Sequence, residues 1–219
     1  MSGLKVHTAP SAEPTSDAET IAYLRTDSGV DTTLISNLII SAREWVEEYL
    51  GRTLLNTTYQ LFLDNVNEAD VPIKEGLYTA PFKIYRNNFI ELPRPPTSSV
   101  THVKSYDDAD TATVWATSNY YVDTVRSPAR IVLRDGGTWP TDLRASNGVE
   151  VQYVAGYGSS RSDIPEPIRM AVLQYVTFLY EHRGDFERFP PPNAPTIIKT
   201  LLQPYKIDRF GVSMYGKTY

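Results

Sequence analysis

DTTLISNLIISAREWVEEYLG, running from Asp31 to Gly51, is the stretch on which the reading of the fold turns. Leu34, Ile35, Leu38, Ile39, Ala42, Trp45, Val46 and Tyr49 recur at steps of three and four residues. That period draws a wide apolar stripe along a helix and calls for a core beneath it. Asp31 stands where an N-cap belongs, and Gly51 where a left-handed C′ glycine ends a helix. Ile40 falls nearly opposite the stripe, among Asn37, Glu44 and Glu47, where a monomer usually keeps a polar group. It is either an incidental exposed residue or a subunit contact, and it is carried forward as a candidate contact.

Upstream, Asp17 offers an N-cap to a short helix whose apolar edge is Ile21 and Leu24, with Gly29 closing it. Residues 1–16 mix Pro, Ser, Thr and Ala without period and read as a flexible arm. Downstream the period shifts from 3.6 to two. Tyr59, Leu61 and Leu63 alternate with Gln60 and Phe62, and Val149, Val151, Tyr153 and Ala155 alternate with Glu150, Gln152 and Val154. The region 54–155 is therefore β-structure. Turn chemistry cuts it at Asn87-Asn88, at Leu92-Pro93-Arg94-Pro95-Pro96, at Asp107-Asp108-Ala109-Asp110 and at Asp135-Gly136-Gly137. About six to eight strands follow, mostly antiparallel, because such short connections cannot make parallel crossovers.

Ile164-Pro165-Glu166-Pro167 returns the chain to helix, which Gly184 is placed to end. Only Gln174, Thr177 and Glu181 make a narrow polar arc on that helix. Ile168, Ala171, Val172, Leu173, Tyr175, Val176, Phe178, Leu179 and Tyr180 fill most of the rest, so it is buried on several sides. Pro190, Pro191, Pro192 and Pro195 form a stiff spacer before a last helix at 196–202. Residues 204–219 have no helical period, yet Phe210, Val212 and Met214 alternate, and Tyr205, Tyr215 and Tyr219 add rings with no use in water. An extended segment of this kind suits strand addition to a partner, so Phe210, Val212, Met214, Tyr215 and Tyr219 are candidate partner contacts.

Composition narrows the chemistry. The 219 residues carry 21 Lys+Arg against 26 Asp+Glu, a net charge of −5, with 41% hydrophobic residues, three His and no Cys. Disulfides, thiolate metal sites and thiol catalysis are excluded, and a His-rich metal site has little to work with. No apolar run reaches the roughly 18 residues of a membrane span, and residues 1–16 have no apolar leader core, so neither secretion by that route nor membrane insertion is expected. The acidic balance argues against tight duplex-DNA binding, which needs concentrated Lys and Arg. No phosphate loop, dinucleotide fingerprint, nucleophile elbow or zincin helix is present. Asp107, Asp108 and Asp110, with His102 one strand away, are the strongest acidic cluster. They lack the sixth-position glycine and terminal Glu of a calcium loop and read as a hairpin turn. His182 and Arg183 fall where cations complement a helix C-terminus. No cofactor and no metal are expected. The 15 Tyr against seven Phe suit interfaces and wet core edges alike.

The order of segments then carries a resemblance. Ala42-Arg43-Glu44-Trp45-Val46-Glu47-Glu48-Tyr49-Leu50-Gly51-Arg52-Thr53-Leu54 is followed by Leu92-Pro93-Arg94-Pro95-Pro96 and Tyr106-Asp107-Asp108-Ala109-Asp110. Trp139-Pro140, the run from Val151 to Gly156-Tyr157-Gly158, Ile164-Pro165 and Tyr180-Glu181-His182-Arg183 complete it. From about residue 17 to 205 this resembles the head–tail connector (adaptor, or head-completion) proteins of long-tailed phages and gene transfer agents. The resemblance implies an α+β fold: a helical-bundle core from N- and C-terminal helices (about 17–51 and 165–203), an antiparallel β-rich insertion (about 54–155), and extended termini (1–16 and 206–219). It further implies a non-enzymatic homo-oligomeric ring, typically of twelve copies, beneath a portal protein in the virion neck, with assembly starting from the host cytoplasm. The ring would extend the double-stranded DNA channel without gripping DNA and would meet a neck, stopper or tail protein, with 207–219 reaching the portal. Trp45, Pro93, Asp107, Asp108, Gly156, Tyr157, Gly158, Pro165 and Arg183 carry the motif as structural positions. Between Asn65 and Ile90 the chain runs longer than the pattern. Rival readings are a stopper or tail terminator and, further off, an acidic-site hydrolase or calcium-binding domain.

Overall fold

Residues 2–26, 31–64, 66, 89–183 and 194–207 are described by the structure, a computed structural model. By its internal contacts the chain divides into two compact units, Met1–Ser11 with Asn56–Tyr157, and Ala12–Leu55 with Gly158–Tyr219.

Apart from one turn of 3₁₀ helix at Thr117–Asn119, the described elements of the first unit are strands. Strands β1 (Ser2–Thr8), β2 (Thr57–Leu63), β3 (Phe89–Glu91), β4 (Thr97–Tyr106), β5 (Ala112–Val114), β6 (Tyr120–Asp123), β7 (Arg130–Leu133) and β8 (Val149–Ala155) form two antiparallel sheets. One has the order β1-β2-β8-β4-β5 and the other β3-β7-β6. Period-two alternation sends Tyr59, Leu61, Val103, Val149, Val151 and Tyr153 from the first sheet into one core with Ile90, Ile131 and Tyr120 from the second. Tyr153 is fully buried at its centre. It stacks on Tyr59 at 5.7 Å and donates its hydroxyl to the Pro93 carbonyl at 2.8 Å.

Here the structure corrects the reading of residues 1–16 as a flexible arm. Ser2–Thr8 is a strand in register with β2, from Ser2 opposite Leu63 to Val6 opposite Tyr59, with an irregularity before Thr8. Leu4 packs against the core. Two apolar residues make too short an alternation to be seen without the partner strand that supplies the hydrogen bonds. Beyond it, Pro14 and Thr15 are buried in the second unit. The β-region is thus more than an insertion, since it takes up the start of the chain as well.

The second unit contains α1 (Asp17–Leu24), α2 (Thr32–Leu50), α3 (Glu166–Glu181) and α4 (Thr196–Leu202). α2 packs along α3, α4 lies against α3, and α1 touches both α2 and α3. Ile35, Ile39, Ala42, Val46 and Leu50 of α2 are buried, as are Ile168, Ala171, Val172, Leu173 and Val176 of α3 and Ile198 and Leu202 of α4. Ser16, not Asp17, is the N-cap of α1, with its Oγ accepting the Glu19 N–H at 3.1 Å. Asp31 does sit at the start of α2 but makes no side-chain cap there. Its carboxylate instead accepts the Tyr180 hydroxyl at 3.0 Å. Gly51 ends α2 at φ 66° with its N–H on the Glu48 carbonyl, the left-handed geometry that favours glycine. α1 ends short of the expected Gly29, at Leu24 with Arg25 as a left-handed C-cap (φ 55°), and α3 ends short of Gly184, at Glu181 with His182 as its cap; the two glycines themselves and most of the proline spacer lie outside the described residues.

Candidate assembly surfaces

In the helical unit an aromatic stripe crosses two helices. Trp45 and Tyr49 are one turn apart on α2; Tyr175, Phe178 and His182 are spaced three and four apart at the end of α3, so each set shares one helix face. Ring centroids step from Tyr49 to Trp45 (5.4 Å), Trp45 to Tyr175 (4.3 Å), Tyr175 to Phe178 (6.1 Å) and Phe178 to His182 (4.5 Å). All five rings are only half-buried. Lys206 Nζ lies over Tyr49 at 5.2 Å, and the Ile207 N–H reaches the Leu50 carbonyl at 3.1 Å. The last described residues of the chain are therefore held at the Tyr49 end of the stripe. Burial raises the Tyr175 phenol pKa above its ordinary value, keeping it neutral across the physiological range. Ile40 is 38% exposed on α2. Its exposed neighbours are Asn37, Ser41 and Glu44.

Two arginines fasten the segment before α1. Arg43, buried on α2, meets Glu13 at 2.8 Å and Glu47 at 3.1 Å. Glu47 also accepts the Leu54 N–H at 2.8 Å. Burial alone would make Arg43 easier to deprotonate, but Glu47, Glu13 and Glu44 outweigh it and raise its pKa. Arg169 of α3 donates to the Pro14 carbonyl at 3.3 Å, and also meets Glu19 of α1 at 2.6 Å and Glu166 at 2.8 Å.

The acidic motif is a turn. Asp107 Oδ1 accepts the N–H groups of Ala109 (3.0 Å) and Thr111 (2.8 Å), while Asp110, at φ 61°, pairs with Arg144 at 2.7 Å. Asp108 is exposed. His102 does not join them. It points to Glu150 on β8, at 3.1 Å, and Glu150 accepts two further hydrogen bonds, from Gln60 at 3.0 Å and the Tyr106 hydroxyl at 2.5 Å. Glu150 is 4% exposed. Desolvation pushes its pKa up, but the bonds from Tyr106, His102 and Gln60 and the nearby Lys104 charge win, and the net shift is downward. The same carboxylate raises the Tyr106 pKa. With Gln60, His102 and Tyr106 on it, Glu150 bolts β2, β4 and β8 together. Sequence reading missed this cluster, whose only signal was a polar residue at the same pleat face of three strands. Among the described residues no group of three or more His, Asp and Glu is arranged to hold a metal, and no helix is long and apolar enough to cross a membrane.

Apart from Trp45 inside α2, the described motif residues fall in turns or at element ends. Pro93 accepts from Tyr153, and the Gly156 N–H donates to the Pro96 carbonyl at 2.8 Å. The chain passes between units at half-buried Tyr157 and Gly158. A Cβ on Gly158 would meet Asp163 Oδ2 at 2.1 Å, so only glycine fits against that carboxylate. Pro165 opens α3. Arg183 donates to the Tyr180 carbonyl at 2.8 Å and lies 4.0 Å over its ring. Phe210, Val212, Met214, Tyr215, Tyr219 and the extra segment 67–88 lie outside the described residues.

No family model matches the chain. No curated protein matches it either. Solved structures do. One is a chain in the neck of an empty gene transfer agent particle computed with C6 symmetry: 21% identical, TM-score 0.72, covering 96% of this chain and 98% of that one. Another, in the virion of a native gene transfer agent particle, is 18% identical with TM-score 0.71 over 95% and 98%. A third, in the neck of a native particle computed with C12 symmetry, is 20% identical with TM-score 0.66 over 96% and 98%. The chain has, over nearly its whole length, the fold of these gene transfer agent particle chains.

Proposed function

We propose that the protein is a non-enzymatic head–tail connector subunit, an adaptor that forms a ring under the portal of a tailed phage or phage-like particle. The observation that carries this reading is the end-to-end fold likeness to chains of gene transfer agent necks and virion. On it, the helical unit is the bundle core of each subunit. The half-buried aromatic stripe is apolar surface that folding of one chain leaves unused, and neighbouring copies or the portal bury it. The tail 207–219 starts beside that stripe and docks on the portal through Phe210, Val212, Met214, Tyr215 and Tyr219. Double-stranded DNA passes through the lumen of about twelve copies, and the acidic balance keeps phosphates from sticking.

Gold-labelled antibody against this chain, applied to purified particles, tests the reading, together with negative-stain imaging of the chain mixed with portal. Label at the head–tail junction and rings on portal are expected. Particles without label there, and a chain that never joins portal, overturn the assignment. Label at the far end of the neck or on the tail would instead select a stopper or terminator.

A further inference from the structure

We propose that in the unassembled subunit the chain's own residues 208–214 lie along the aromatic stripe, so that tail and stripe hide each other until the portal takes the tail. This rests on the connector reading above. Three contacts fix where the tail begins. Arg52 donates to the Tyr205 carbonyl, Lys206 Nζ lies over the Tyr49 ring at 5.2 Å, and the Ile207 N–H takes the Leu50 carbonyl at 3.1 Å, one of those that an α-helix leaves unpaired at its end. The tail therefore sets out from the Tyr49 end of the stripe.

Phase selects the occupant. The Lys206 backbone is already extended, at φ −68° and ψ 137°, with its side chain on the stripe. In a chain that continues extended, every second side chain shares that face, which gives Asp208, Phe210, Val212 and Met214. Three of these are apolar, and Asp208 falls next to the Lys206 ammonium. The opposite set is Arg209, Gly211 and Ser213, which suits water. Length agrees with phase. The ring-to-ring steps from Tyr49 to His182 span at most about 20 Å, which about six residues cover at roughly 3.3 Å each. Because the tail is tethered at the stripe, its effective concentration there is on the order of millimolar, far above that of another copy in dilute solution. The same chain therefore fills the site first. A portal that binds the tail frees the stripe for a neighbouring copy, which ties subunit association to the presence of portal.

The chain has no cysteine, so one engineered pair can be read by itself. Ser41 is exposed on α2 one turn before Trp45, and lies about 14 Å along the helix from Leu50. Val212 would come about 17 Å past Ile207, on the side that faces the stripe. Ser41→Cys/Val212→Cys therefore brings two thiols within reach of each other. Ala18→Cys, on an exposed position of α1, is the control. α1 joins α2 through Asp17 and Ser36, and Ser36 stands two and a half turns before Trp45, on the opposite side of the helix.

Full-length protein, dilute and without portal, is oxidised gently. Ser41→Cys/Val212→Cys should close within one chain several times faster than Ala18→Cys/Val212→Cys, and the locked chain should stay off portal until it is reduced. Removing 210–219 should raise acrylamide quenching of tryptophan fluorescence, since Trp45 lies on the stripe while Trp115 and Trp139 belong to the β unit. Linkage no faster than in the control, linkage mainly between chains, quenching unchanged by the truncation, or a locked chain that assembles on portal as well as the reduced one overturns the proposal. Rapid closure of the 41–212 pair in a chain that never joins portal, locked or reduced, overturns the connector reading instead and leaves the covered stripe standing.

Discussion

Replacing Glu47 probes how the helical unit holds its buried charge. Its carboxylate is 10% exposed and does two jobs, pairing with Arg43 at 3.1 Å and accepting the Leu54 N–H at 2.8 Å. In Glu47→Ala both are lost. Removing one partner of a buried ion pair costs about 3–5 kcal/mol in general. Arg43 still keeps Glu13 at 2.8 Å, so the charge is not stranded and that part falls below this range, to about 1–2 kcal/mol. The orphaned Leu54 N–H adds about 1–2 kcal/mol. The expected loss is about 3 kcal/mol, a shift of roughly 1–3 M in the urea midpoint for an m-value of about 1–3 kcal/mol per M. Glu47→Gln keeps an acceptor for Leu54 and should cost about half as much. Urea unfolding followed by circular dichroism at the helical band reads both. If the Ala and Gln variants lose the same amount, or neither loses more than about 0.5 kcal/mol, the cluster is solvated and the reasoning fails.

Glu150 has a folded pKa below its unfolded one, so the stability it provides is full at neutral pH and declines as pH falls through the folded value; Glu150→Gln should flatten this acid loss in pH-dependent melting, and an unchanged slope would sink that account. Asp107→Ala removes an acceptor for two backbone N–H groups and should cost about 1 kcal/mol, whereas Asp108→Asn should change thermal stability and assembly by nothing measurable. Lost activity or bound calcium in either variant would revive a catalytic or calcium reading. Deleting 210–219 should abolish attachment to portal in a pull-down while circular dichroism stays unchanged; truncated chains that still complete particles would refute the tail assignment.

What the sequence determined by itself was whatever repeats locally. The 3.6-residue stripe of Leu34 to Tyr49, its stop at Gly51, the alternation of 149–155 and the Asp107 turn all follow from neighbours within a few residues, where backbone preference and side-chain periodicity act without a partner. The helix at 196–202 was legible for the same reason. Tertiary structure alone decided what depends on register between distant segments. β1 exists because β2 offers it a ladder; Glu150 is buried and ionised because Gln60, His102 and Tyr106 arrive at one pleat face from two other strands. The aromatic stripe joins rings more than a hundred residues apart, Trp45 and Tyr175, once α2 lies along α3. Such contacts are set by how strands and helices are paired, and no periodicity within one segment encodes its partner's position.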